Sequence, residues 1–256
     1  MRIILLYVII WAIHSLLTIK NSNKMSKTLS TGVFDRRGQD TIDSRWFYAI
    51  IAGVLIWGFV LTTICANYAI NLGFIPTVWS VILIGLVVPI IGIVISVKSS
   101  NPIVSFLGYN LVVAPLGFVL GPSLQEYSPD VIKHVMMLTI GCSVGFGALG
   151  IFFPNFFSKL GRVLFTSLCI LVAVRILQLF IPALAVLTWV DYISAGLFCL
   201  YIGYDMYKAS SMPKTIDNAV DICVDLYLDI INLFLSLLRT KSSDDWVTHP
   251  FAFLES

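Results

Sequence analysis

Seven long runs of apolar residues follow one another between residues 46 and 238 of this 256-residue chain, with short connections between them. The runs cover residues 46–70, 74–97, 102–120, 131–153, 160–181, 183–207 and 219–238. Each is about as long as a bilayer-crossing helix of roughly 20 residues, and too long and unbroken for a strand of a soluble protein. Since backbone polar groups in lipid must be satisfied internally, we predict an all-α polytopic membrane protein with seven transmembrane helices.

The composition excludes a water-soluble or nucleic-acid-binding protein. Hydrophobic residues make up 58% of the chain and charged residues 12%, about half the charged fraction of a typical soluble domain. We divide the chain into an N-terminal hydrophobic segment with a polar stretch (1–45), a seven-helix membrane domain (46–240) and a C-terminal tail (241–256). The apolar run 3–19 is interpreted as an extra N-terminal helix or a signal-anchor.

The basic residues are distributed unequally over the connections between the predicted spans. Eleven Lys and Arg lie on the side that contains residues 20–45, and three lie on the other side. Because basic connections remain in the cytoplasm, residues 20–45 and the connection between the last two spans are predicted to be cytoplasmic. The C-terminus is then predicted outside; a re-entrant last helix, with which Arg239 and Lys241 are compatible, would reverse its side.

Signals of catalysis or of metal binding are weak in this sequence. Segment 141–145 fits the G-x-S-x-G pattern of hydrolases, but it lies inside a predicted membrane helix and not at a strand-to-helix turn. None of the three histidines has an evident route to Ser143, and the glycines around it are typical of close helix packing. The five cysteines lack metal-type spacing and are predicted to be free buried thiols. We expect no enzyme activity and no cofactor.

The last predicted span is the most polar one, and its acidic residues share one face. Asp217, Asp221, Asp225 and Asp229 recur every four residues, and Asn232 extends the stripe. A charge at membrane depth costs at least a few kcal/mol, so the stripe should face the protein interior or water. The first two aspartates suit a helix N-terminus at the cytoplasmic interface, but Asp229 lies about 11 Å beyond the start of the apolar stretch. We therefore predict that the other helices enclose this short, acidic span.

A second aspartate lies in the preceding span, about 9 Å inside its predicted cytoplasmic end. The connection is short, so the last two spans should be antiparallel neighbours with Asp205 and Asp229 at similar depth. Two carboxylates in a poorly hydrated place share one proton and titrate as a pair, which makes them a pH sensor. Two alternatives remain open: each aspartate is hydrogen-bonded separately to Ser, Asn or backbone, or Asp225 takes the place of Asp229.

Arg175 and Asp191 are placed almost symmetrically about the turn at residues 182–183, each about 12 Å from it by helix rise. We predict a buried ion pair that links the fifth and sixth spans on the outer side. A closed pair satisfies both charges, so its predicted role is structural.

Two segments in the last two spans carry a specific resemblance. Residues 200–205 read LYIGYD, and residues 226–235 read LYLDIINLFL with Asp221 before them. They closely resemble the signature of the transmembrane Bax inhibitor motif family in its bacterial form, which implies location in a bacterial inner membrane. The resemblance is strong over about 185–240, and from 46 to 180 it rests on span number and length. It implies six helices wrapped around a central seventh.

The resemblance also implies a function, a calcium-permeable leak governed by pH, with Asp205 and Asp229 as sensor and gate. These two carboxylates are then the expected calcium ligands, and Asp221, Asp225 and Asn232 offer further oxygen atoms along a cation path. Asp225 matches a second acidic position of some eukaryotic members. The resemblance also implies an arginine in the second span that holds the sixth-span aspartate in the closed form. Residues 74–97 contain no Lys or Arg, and only Lys98 is placed to substitute for that arginine.

Two other functions compete with the calcium leak. The first is a non-transporting membrane regulator, whose partner would be a membrane protease or a cell-death protein. The second and more distant one is an intramembrane aspartyl protease, which also uses two facing aspartates. Its second aspartate follows a Gly-x-Gly sequence, whereas Asp229 follows Leu-Tyr-Leu at residues 226–228.

Overall fold

The computed structural model describes residues 9–10, 12–13, 41–181 and 189–248, and the side chains of these residues apart from Leu179 and 242–248. The described residues form helices and no strand. Most of the predicted N-terminal helix over 3–19, most of the 1–45 segment and residues 249–256 of the tail lie outside the described residues.

Seven long helices succeed one another along the described chain. α1 to α5 are long and apolar enough to cross a membrane, which confirms a polytopic membrane protein. α6 and α7 have 23 and 33 residues but carry charged side chains among apolar ones, so the count of seven spans stays a prediction. Their bounds are α1 Ser44–Asn71, α2 Val78–Lys98, α3 Pro102–Leu124, α4 Pro129–Phe152, α5 Gly161–Phe180, α6 Trp189–Ser211 and α7 Ile216–Thr248, with a one-turn helix Pro154–Phe157 between α4 and α5.

Local sequence explains where several helices begin and how α2 is interrupted. α2 starts at a capping box in which Thr77 and Ser80 exchange side-chain and backbone hydrogen bonds. α4 starts after Ser128, whose hydroxyl accepts from the Val131 N–H, with proline in the first helical position. Leu83–Val87 forms a π-helical turn inside α2, because Pro89 has no N–H to continue the regular ladder.

The last helix is longer than its apolar run. The sequence predicted an end at residue 238, whereas α7 continues to Thr248. Residues 239–248 contain no glycine or proline, so nothing in them terminates a helix.

The described helices belong to two compact units, and α7 is divided between them. One unit consists of the described residues up to Ser123 together with Lys208–Leu228, and so contains α1, α2, α3 and the first half of α7. The other consists of Leu124–Tyr207 together with the described residues from Asp229 on, and so contains α4, α5, most of α6 and the second half of α7.

α7 is less exposed than the more apolar helices. Between residues 219 and 238 of α7, only Asp221, Ile230 and Leu237 are partly exposed, and every other residue is buried. In contrast, α1 exposes large apolar side chains such as Ile56 and Ile64, which is the pattern expected of a face in contact with lipid. The structure therefore agrees with the prediction that the acidic last helix is enclosed.

Contact between α4 and α6 depends on glycine at the point where the two backbones meet. A methyl group added to Gly150 would overlap the carbonyl oxygen of Gly203. A Cβ on Gly203 would in turn lie 3.0 Å from the carbonyl oxygen of Phe146 and would overlap the Phe157 ring. Small residues thus allow the backbones of two membrane helices to touch.

We expect Gly150→Ala to lower the free energy of unfolding by about 1–3 kcal/mol, because one of the two backbones has to move to make room for the methyl group. Thermal unfolding in detergent micelles measures the effect. Gly145→Ala is the matched control on the same helix, since no atom lies within 4 Å of the Cβ it would add. Equal loss in both variants would contradict the proposed backbone contact.

Candidate functional site

Two buried aspartates on α6 and α7 form the centre of the site. Asp205 is 2% exposed and Asp229 is fully buried. The carboxylates of both interact electrostatically with the hydroxyl of Tyr201, which lies one helical turn before Asp205 on α6. The structure thus brings both residues of the predicted pH sensor around one tyrosine.

Other buried polar groups extend the site along α6 and α7. Cys199 on α6 lies within electrostatic range of Asp229. On α7, Asn232 is fully buried and Ser236 is 1% exposed, so polar atoms continue along the helix beyond Asp229. Buried polar side chains in such number within a membrane helix point to a functional or a packing role, because each costs free energy in lipid.

The first two aspartates of the predicted stripe have separate partners. Ser105 on α3 donates its hydroxyl to Asp217 at 2.7 Å, and Ser96 on α2 donates to Asp221 at 2.6 Å. The helix N-terminus is capped by Thr215, whose hydroxyl accepts from the backbone N–H of Asn218.

Asp225 forms an ion pair that the sequence did not reveal. Its Oδ2 lies 2.6 Å from Nζ of Lys208, with side-chain exposures of 11% and 27%. The pair joins the end of α6 to α7, as expected of antiparallel neighbours. In the sequence, Lys208 counts as one more basic residue of the predicted cytoplasmic connection. Its position three residues after Asp205 was the signal that it could reach α7.

Lys214 stabilises the connection between α6 and α7. Its ammonium donates to the last carbonyl groups of α6, those of Ala209 and Ser210, at 2.6 and 2.8 Å. It also lies 4.8 Å from the centre of the Phe47 ring at the start of α1, a cation–π distance. Burial lowers the pKa of Lys214 below its ordinary value. These contacts hold the predicted cytoplasmic ends of α1, α6 and α7 together.

A second buried cluster surrounds Asp191 at the opposite end of α6. The predicted ion pair is present, with Nη2 of Arg175 at 2.5 Å from Asp191 Oδ1. Arg175 donates in addition to Gln178 and Ser194, at 3.2 and 3.0 Å. A third residue, Arg239 on α7, brings its Nε to 3.4 Å from Asp191 Oδ2. The sequence pattern missed it because its position near the end of α7 suggested a residue facing water.

Among the described residues, neither a metal centre nor an ion pair of Lys98 is formed. In that part of the chain, no group of three or more His, Cys, Asp or Glu side chains is arranged to hold a metal ion. Calcium ligation by Asp205 and Asp229 therefore stays a prediction. Lys98 is exposed at the end of α2, and none of the described residues forms an ion pair with it.

Comparison with known proteins places most of the chain in one family. The family model described as inhibitor of apoptosis-promoting Bax1 matches residues 45–245. Inner membrane protein YbhL of Escherichia coli is 26% identical over 209 residues, which is 75% of this chain and 89% of that protein.

Two relatives come from other kinds of organism. A BI1-like protein of Arabidopsis thaliana is 34% identical over 137 residues, 51% of this chain and 52% of that protein. The Golgi anti-apoptotic protein of vaccinia virus is 33% identical over 129 residues, 48% of this chain and 54% of that protein. The chain thus spans about half the length of each of these two relatives.

Proposed function

The chain belongs to the Bax inhibitor motif family, and from this membership and its buried acid pair we propose that it is a pH-sensitive, calcium-permeable leak channel. In this proposal Asp205 and Asp229 are the sensor and the gate. One observation carries it: both carboxyl groups are buried, and both lie within electrostatic range of the same residue, Tyr201.

The gate operates through the charge of the acid pair. At acid pH the two carboxyl groups share a proton and are stable side by side. Loss of that proton near neutral pH leaves two negative charges in a poorly hydrated place, where they repel each other. The repulsion, partly offset by a passing cation, displaces α7 and opens an aqueous path. Flux should therefore rise as the pH increases from acid to neutral.

The cation path continues along the polar face of α7. Calcium prefers several oxygen ligands, and Asp221, Asp225 and Asn232 provide them on the same face as Asp229. Calcium is the cargo of this path, not a resident cofactor, so the proposal requires no metal centre with three or more protein ligands.

The proposal assigns the chain no catalytic step and no cofactor. Its location is the inner membrane of a bacterial cell, with residues 20–45 on the cytoplasmic side. The name of the E. coli relative, inner membrane protein, supports this location, and so does the excess of basic residues on that side of the spans.

A titration of calcium flux against pH tests the proposal. Purified full-length protein is reconstituted into liposomes that contain a calcium-sensitive dye, and flux is measured between about pH 5 and 8, the range in which such a pair is expected to lose its proton. We expect flux to increase with pH, with protein-free liposomes as the control. A flux that equals that of empty liposomes at every pH would refute the channel.

A second candidate function is a membrane regulator that transports nothing and binds a partner. The description of the family as an inhibitor of apoptosis-promoting Bax1 favours it, as does the name of the viral relative, an anti-apoptotic protein. Its partner would be a membrane protease or a cell-death protein. The same liposomes distinguish the two candidate functions. Calcium flux without any partner protein supports the channel, and absence of flux supports the regulator.

A further inference from the structure

Two cysteines from different helices meet near the acid pair. Cys142 lies on α4 and is half-buried, and Cys199 lies on α6 and is buried. Their thiol groups lie within interaction range of each other, and no disulfide links them in this structure. The spacing of cysteines along the sequence could not reveal this pair, because the two residues are 57 positions apart.

The packing of α4 against α6 independently places the two cysteines opposite each other. One turn further along both helices, the carbonyl oxygen of Phe146 lies 3.0 Å from the position that a Cβ on Gly203 would take. Cys142 precedes Phe146 by four residues and Cys199 precedes Gly203 by four, so both cysteines are on the contact faces. Disulfides require Cα atoms about 4.4–6.8 Å apart, and backbones that touch through glycine come that close.

The geometry points to Cys142 and Cys199 as a redox modification site, at which a reversible disulfide links α4 to α6. Asp205 lies six residues after Cys199 on α6, and Asp229 is within electrostatic range of the Cys199 thiol. The covalent link therefore immobilises α6 beside the acid pair. Its effect on calcium flux rests on the proposed function, whereas its formation does not.

The oxidant has to reach the middle of a helix that spans a membrane. Cys142 is the fourteenth residue of the 24-residue α4, about 20 Å from its start by helix rise. A lipid-soluble organic hydroperoxide meets this requirement. One cysteine sulfur attacks the peroxide, the O–O bond breaks, and a sulfenic acid and an alcohol result. The second sulfur then attacks the sulfenic sulfur and releases water, so that two thiols are oxidised by two electrons and the peroxide is reduced.

Oxidation of the full-length protein in liposomes tests the site. The probe is cumene hydroperoxide, with copper–phenanthroline as a second lipid-soluble oxidant. Trypsin then cleaves at Lys159, which is exposed in the connection between α4 and α5 and lies between the two cysteines. We expect non-reducing gels to retain the two fragments as one band that dithiothreitol separates. Mass spectrometry should identify a Cys142–Cys199 peptide that is two hydrogen atoms lighter than the sum of its parts.

Single variants give the matched controls. Cys142→Ser and Cys199→Ser should each abolish the linked band, whereas Cys169→Ser should keep it, because Cys169 is exposed and lies on α5, outside the contact of α4 with α6. If neither oxidant yields a linked peptide in the wild-type protein, the site is refuted, and this result does not depend on any variant folding.

Flux measured on the same oxidised liposomes tests the consequence for the channel. We expect linkage to remove most of the pH-dependent flux, and dithiothreitol to restore it. Unchanged flux in fully linked protein would overturn the regulatory effect and leave the modification site standing. Absence of flux before oxidation would instead refute the channel, so the two failures are distinguishable.

Discussion

The double variant Asp205→Asn, Asp229→Asn is expected to lose nearly all pH-dependent calcium flux in liposomes. Asparagine keeps the size and hydrogen-bonding capacity of aspartate but carries no charge, so the repulsion that opens the path disappears. An ionised aspartate in the centre of a membrane helix costs at least about 2.5 kcal/mol of free energy. Each 1.4 kcal/mol changes an equilibrium constant about tenfold. Flux at neutral pH should therefore fall by roughly fifty-fold and no longer vary with pH.

Asp225→Asn is the matched control for the acid pair, because Asp225 lies one turn before Asp229 on the same helix. Its carboxylate already pairs with Lys208 at 2.6 Å, so it is not available to share a proton with Asp205. The size of the flux should fall, because Asp225 lies on the proposed cation path, whereas the pH dependence of the remaining flux should survive. If Asp225→Asn flattens the response while Asp229→Asn leaves it intact, the partner of Asp205 has been assigned to the wrong residue. If the double variant leaks as the wild-type protein does, the gate is refuted.

Asp191→Ala is expected to lower the free energy of unfolding by about 3–5 kcal/mol, because it removes one partner of a buried ion pair. Asp191 is 1% exposed and is the carboxylate shared by Arg175 and Arg239. Its removal leaves two guanidinium groups near each other, with Arg175 only 3% exposed. Unfolding in detergent micelles, followed by thermal or denaturant titration, measures the loss.

Removal of the whole charged cluster is the control for that variant. Replacement of a buried ionic group by apolar residues of similar volume is often neutral or stabilising. We therefore expect the triple variant Arg175→Met, Asp191→Leu, Arg239→Met to recover most of the stability. If the triple variant is as unstable as Asp191→Ala, the loss comes from packing around residue 191 and not from unpaired charge.

The elements were predictable from sequence because length and hydrophobicity determine membrane helices almost directly. The apolar runs 46–70 and 131–153 correspond to α1 and α4 within two residues at each end. Arg175 and Asp191 were predictable as a pair because the sequence places them on consecutive predicted spans at similar distances from the predicted connection, which antiparallel neighbouring helices bring together.

Contacts between helices that are distant in sequence were not predictable. In a soluble protein, the polar face of a helix shows which side meets the core, but in lipid both sides are apolar and this signal is lost. Which helices are neighbours determines two of these contacts: the ion pair of Arg239 with Asp191, and the proximity of Cys142 to Cys199. The partner of Asp225 was missed for a different reason, because the side chain of Lys208 is long enough either to enter water or to return to α7.

The burial of α7 has a consequence for how the protein is made. A segment with four aspartates between residues 217 and 229 gains little from entering hydrocarbon by itself as it leaves the ribosome. It is also synthesised after the more apolar helices, which are then already in the bilayer and can receive it. Its insertion is therefore a docking event between protein surfaces, separate from partition into lipid, and a chain in which docking fails exposes its carboxylates to the acyl chains.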